Sequence, residues 1–105
     1  MTRGEIYRIR LPSRRGHETA GARYGVIIEA DELLGLSTAI VAPTSRSAAH
    51  ATFRPEIEIA GQPTRVMIEQ LRAVDIERLD ELAGRLSRAE QRAVDEALVR
   101  VLDLS

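Results

Sequence analysis

Apolar and polar side chains alternate along Glu5-Ile6-Tyr7-Arg8-Ile9-Arg10-Leu11, and a repeat of two predicts a strand with Tyr7, Ile9 and Leu11 on one face. Pro12 stops it, because proline has no N–H to give to a ladder. A polar loop over 12–22 follows, with Arg14, Arg15, Gly16 and Gly21, and loops of this length in a small domain commonly carry function. From Arg23 to Ala30 the run Val26-Ile27-Ile28 does not alternate, which predicts a central strand covered on both faces. Asp31 to Leu34 reads as a helical turn closed by Gly35. Ser37 to Ala42 predicts a third strand ending at Pro43, and 43–52 a second polar loop. Glu56-Ile57-Glu58-Ile59 alternates cleanly, as an edge strand does, and Gly61-Gln62-Pro63 reads as a turn. Arg65 to Ala73 predicts one long strand, with Met67, Glu69, Leu71 and Ala73 on one face and Val66, Ile68, Gln70 and Arg72 on the other.

The last third changes period. Asp75 to Leu82 predicts a short helix and Gly84-Arg85-Leu86 a brief strand. Ser87-Arg88-Ala89-Glu90 is a capping box, in which the serine accepts from a free amide and the glutamate reaches back. Behind it Val94, Ala97, Leu98, Val101 and Leu102 recur at helical spacing. The expected fold class is mainly β with helices (α+β): a small, strongly bent barrel of about five to seven short strands with a C-terminal helix, one domain over 1–105.

Composition narrows the chemistry. The chain has 105 residues, enough for one core, and only three aromatic residues, Tyr7, Tyr24 and Phe53, so that core is aliphatic. Cysteine is absent, which excludes disulfides and thiolate chemistry, and two histidines, His17 and His50, make a zinc site a poor expectation. No apolar run reaches membrane-spanning length and no signal peptide shows, so the expected location is the cytoplasm. Formal net charge is −1, but it is unevenly placed. Residues 1–54 carry eight arginines against five acids, and residues 55–105 seven against eleven. All fifteen basic residues are arginine, the side chain that binds phosphate through paired hydrogen bonds. A polyanion would therefore meet the first half of the chain.

The segment Gly16-His17-Glu18-Thr19-Ala20-Gly21-Ala22-Arg23 brackets a carboxylate with glycines and delivers a guanidinium to the start of a buried strand. Such a loop suits a phosphodiester. Arg23 can clamp a phosphate and Glu18 can act as a base. His17 competes for the acid or base role, since an unperturbed imidazole titrates at about pH 6.5. The plain alternatives are a solvated histidine, a surface ion pair between Arg23 and Glu18, and an ordinary turn at Thr44-Ser45.

Five blocks in order carry a resemblance: Arg3-Gly4-Glu5-Ile6-Tyr7, the glycine-bracketed loop, Val41-Ala42-Pro43-Thr44-Ser45, Glu69-Gln70-Leu71-Arg72-Ala73-Val74-Asp75, and Gly84-Arg85-Leu86-Ser87 with the final helix. Together they resemble the MazF/PemK family of toxin endoribonucleases over nearly the whole chain. The resemblance implies an SH3-like barrel, a homodimer, and cleavage of single-stranded RNA at short sequences with no metal or other cofactor. It also implies a cognate MazE-like antitoxin whose acidic, disordered tail enters the RNA groove. By position Arg23 and Thr44 match the family's catalytic pair, Glu18 a carboxylate that assists in some members, and Gln70 a substrate-contacting residue. His17, Thr19, Ser45 and Arg46, in the same two loops, are expected to touch RNA. Tyr24 stands where the family has proline, Arg8 where many members have tryptophan, Arg10 where many have aspartate, and Pro43 lies directly before Thr44. Two alternatives remain open at this point: a non-enzymatic CcdB-like gyrase-binding toxin on the same barrel, and a degenerate member that binds RNA or antitoxin and cuts poorly.

Overall fold

The computed structural model describes residues 1–10 and 23–104. The expected loop over 12–22, and with it Leu11, His17, Glu18 and Thr19, lies outside them. Among the described residues the elements are β1 (Glu5–Ile9), β2 (Arg23–Ile27), β3 (Thr38–Ser45), β4 (Glu56–Ile59), β5 (Gln62–Val66), β6 (Arg72–Asp75), β7 (Leu79–Arg85) and α1 (Arg88–Leu102). Short 3-10 turns occur at Asp31–Leu33, Ile68–Gln70 and Ile76–Arg78. All pairings are antiparallel, in the order β4-β5-β3-β2-β1-β7, with β6 also on β3. The sheet curls into a half-barrel closed by the helix, the barrel-with-helix class that the patterning predicts.

Alternation builds two apolar clusters on the two faces of this sheet. Val26 and Ile28 of the β2 segment join Ile6, Ala42, Val66 and Ile68 beneath Val94, Ala97 and Leu98 of α1. Ile27 points the other way, with Ile9, Val41 and Val74 and the half-buried Tyr7. β2 is central, as its unbroken apolar run requires, and Tyr7 and Ile9 share a face as expected. Ile6, completely buried on the opposite face, shows that β1 is covered on both sides. Each fully buried valine or leucine contributes about 1.5–3 kcal/mol relative to exposure, so the helix is held chiefly through Val94 and Leu98. Its N-terminus carries the capping box, with Ser87 Oγ accepting from Glu90 N at 3.1 Å and Glu90 Oε1 accepting from Ser87 N at 2.8 Å. Leu102, expected in the core, is about half exposed at the last turn.

Four expectations need correction. β3 does not stop at Pro43 but runs to Ser45. Backbone N–H and C=O of one strand residue point the same way. The Pro43 carbonyl accepts Met67 N at 2.8 Å, where the chain is already leaving β5, so the missing proline donor falls at the end of that ladder. The turn after β4 is Ala60-Gly61, with φ of 53° and 78°, and Gln62 and Pro63 belong to β5. The long strand expected over Arg65–Ala73 is two strands, β5 and β6, both lying along β3. Their pairings with β3 (Thr44 with Val66, Val41 with Arg72) differ in register by three residues, and those three are the turn Ile68–Gln70. That turn lets Ile68 stay buried beside Val66 while the chain rounds a corner. Last, no helix forms over 75–82. Asp75 caps a single 3-10 turn by accepting from Glu77 N at 2.9 Å, and β7 then pairs with β1 through two register shifts.

Glu5 is a buried carboxylate, 8% exposed. It accepts hydrogen bonds from Thr2 N at 2.7 Å, the Tyr7 hydroxyl at 3.0 Å and Arg85 Nη2 at 3.0 Å. Burial alone pushes its carboxyl up, but these donors, with the N-terminal ammonium, outweigh that and hold it below the usual value. Among the described residues no helix is long and apolar enough to cross a membrane.

Candidate nucleic-acid interface

The adjacent strands β2 and β3 bring two sequence-distant segments together. Gly25 pairs with Pro43, so one step further along the ladder Tyr24 lies across from Thr44. The Thr44 hydroxyl confirms that neighbourhood by donating to the Tyr24 carbonyl at 3.1 Å. Alternation puts Tyr24 and Thr44 on the face beneath the helix, and Arg23 and Ser45 on the other. Here the strands reach the end of the sheet, and side chains from both faces border one cavity. Its volume is about 460 Å³, and it is lined by Arg23, Tyr24, Thr44, Ser45, Arg46, Ser47, Ile59, Ala60, Gln62 and Thr64.

Among the described residues the lining carries two guanidinium groups and no carboxylate. Neither Arg23 nor Arg46 forms an ion pair among the described residues, whereas Arg54 is bound to Glu69 at 2.8 Å and Arg65 to Glu56 at 3.4 Å. Uncompensated charge in a concave site attracts anions. Hydroxyls of Thr44, Ser45, Ser47 and Thr64 surround it, so a phosphate would find fixed charge and several neutral donors together. Thr44 is only 7% exposed, held inward despite the preceding proline.

Of the residues singled out in the sequence, Arg23, Thr44, Ser45 and Arg46 meet at this cavity. Gln70 does not line it: it is exposed in the Ile68–Gln70 turn, beside the Arg54–Glu69 pair. Glu18, His17 and Thr19 lie outside the described residues. Sequence reasoning passed over the second wall, which is Ile59, Ala60, Gln62 and Thr64 of the β4–β5 hairpin. Thr64 was the available signal, since it stands at a core-facing position between Gln62 and the buried Val66.

A curled antiparallel half-barrel, closed by one helix and bearing a basic, hydroxyl-rich cavity at the end of its central strands, defines a class of small β proteins suited to anionic partners. The chain belongs to the family of PemK-like, MazF-like toxins of type II toxin–antitoxin systems, whose model matches residues 2–102. It is 38% identical over 106 residues to the candidate toxin Rv3098A of Mycobacterium tuberculosis, covering 99% of each chain. It is 31% identical over 116 residues to the endoribonuclease MazF9 of the same organism, covering 99% of this chain and 98% of that one. Its fold matches that of a mycobacterial endoribonuclease solved in complex with its cognate antitoxin, with a TM-score of 0.81 and 15% identity over 100% of this chain and 97% of that one.

Proposed function

We propose that this chain is the toxin of a toxin–antitoxin module and acts as an endoribonuclease, cutting single-stranded RNA without a metal ion. The observation that carries this reading is the meeting of Arg23, Thr44 and Arg46 in one cavity free of carboxylates among the described residues. Cleavage by the neighbouring 2′-hydroxyl forms a bond from that oxygen to phosphorus and breaks the bond to the 5′-oxygen. The products are a 2′,3′-cyclic phosphate and a free 5′-hydroxyl. Three demands follow: a proton must leave the 2′-oxygen, added charge on the phosphoryl oxygens must be balanced, and a proton must reach the departing oxygen. Arg23 supplies fixed charge and two parallel donors to the phosphoryl oxygens. The Thr44 hydroxyl exchanges the Tyr24 carbonyl for a phosphoryl oxygen, and Arg46 with Ser45 holds the adjoining backbone. Glu18 is the assigned base, and the departing 5′-oxygen takes its proton from solvent water.

The same cavity suits the acidic tail of an antitoxin, because both ligands present rows of negative charge to the same guanidinium groups. Two copies of the chain form the working toxin, with RNA lying along their shared groove. The deciding measurement is cleavage of a defined RNA in EDTA. The expected result is cutting that persists with chelator, leaves cyclic or 3′-phosphate ends, and falls at least about a hundredfold in Arg23→Ala, as loss of one stabilising donor does elsewhere. Undiminished cutting by Arg23→Ala would remove this site. Binding of RNA or antitoxin without cutting by the unsubstituted protein would leave a binding role in its place.

A further inference from the structure

The proposed cleavage occupies one wall of the cavity and gives no task to the other. That second wall is graded. The inner face of β5 passes from Val66, fully buried, through Thr64, 5% exposed, to the exposed Gln62. Its partner β4 presents Ile59, 7% exposed, and Ile59 pairs directly with Gln62. The turn beyond them has only two residues, both at positive φ, so Gln62 is fixed by a ladder rather than carried on a loop. The Gln91 amide is tied to Asp95 at 3.0 Å; among the described residues the Gln62 amide has no such tie and borders the cavity.

An amide carried on a paired strand beside an isoleucine, in the same cavity as an aromatic ring and a phosphate clamp, fits one class of ligand. An unstacked nucleobase needs a flat or apolar surface against its face and an in-plane donor–acceptor pair along its edge. A glutamine amide offers one carbonyl and one NH₂, the complement of a Watson–Crick edge. We infer that Gln62 reads the base next to the scissile phosphate, with that base stacked against the Tyr24 ring. This rests on the RNA-cleaving reading above and adds a specificity residue to it.

The test is cut-site sequencing on a randomised RNA pool, with kcat/KM measured on the parent's best oligonucleotide and a thermal melt to verify folding. Gln62→Ala is expected to lose about ten- to a hundredfold discrimination at one position of the cut motif and to leave the other positions unchanged. Gln62→Glu is expected to move that position toward guanine, whose N1–H and N2–H₂ donate together to a carboxylate. If both variants cut with the parent's motif and rate, the inference is overturned while the cleavage reading stands. A uniform loss of rate with an unchanged motif also overturns it, since that marks a wall of the cleft and not a reader. If the unsubstituted protein cuts no RNA, both readings fall together.

Discussion

At the scale of single residues, Thr44 and Glu5 are both polar groups taken out of water, for different ends. Thr44 gives its proton to the Tyr24 carbonyl, so it joins two strands as well as facing the cavity. A surface threonine is replaceable at no cost; this one is not. Thr44→Val keeps the shape and removes the donor. It should lower stability by about 1 kcal/mol in chemical denaturation and strongly reduce RNA cutting, while Thr44→Ser restores most of both. A Thr44→Val protein that cuts like the parent would confine the hydroxyl to the strand tie. Glu5 acts on the pH axis. Its carboxyl ionises more easily in the folded chain than at its ordinary value of 4.5, so it stabilises the fold above that pH. That contribution disappears as acidification passes through the lower native value. Urea melts at neutral and acid pH should therefore show a shallower acid loss in Glu5→Gln than in the parent, starting from a lower stability at neutral pH.

At the scale of elements, the helix and the β4–β5 hairpin share a core, and one polar side chain ties them as well. Glu90 completes the capping box with Oε1, and its Oε2 accepts the edge-strand amide of Glu58 at 2.9 Å. Ser87→Ala should cost about 1 kcal/mol, the usual penalty for a lost cap. Glu90→Ala should cost more, because the edge of β4 also loses a partner, and hydrogen exchange at the Glu58 amide would report that loss directly. The cap was legible in the sequence because it is local chemistry between residues three apart. So were β1, β2 and β4, whose patterns carry their own period. Three of the four errors share a cause: each lies where a contact distant in sequence overrides the local signal. Pro43 stays in a strand because its missing donor faces a ladder end. Arg65–Ala73 looks continuous because a 3-10 turn preserves the burial of Ile68 and Val66. Leu79–Arg85 pairs with a strand 70 to 80 residues earlier, which no window of sequence reveals.

For the whole molecule, charge is segregated by the fold as well as by the chain. The sequence already showed a basic first half, and the structure concentrates two of those arginines at one end of the sheet while others are neutralised across strands and helix, as Arg3 is by Asp95 at 2.9 Å. Four of the ten described residues around the cavity could be read in advance, namely Arg23, Thr44, Ser45 and Arg46, because ordered blocks of residues bring their relative placement with them. The hairpin wall could not, since Ile59, Gln62 and Thr64 match no block and reach the cavity only through strand pairing.

The three-residue offset along β3 has a consequence for how this chain tolerates changes in length. Inside β5 or β6, one added residue would invert the facing of every side chain that follows in that strand. At the exposed Glu69 and Gln70 the two ladders are already decoupled, so an insertion between those two residues should be absorbed at the corner and leave both strands their partners. Tags or labels placed at that bend would leave the cleft and the core in register.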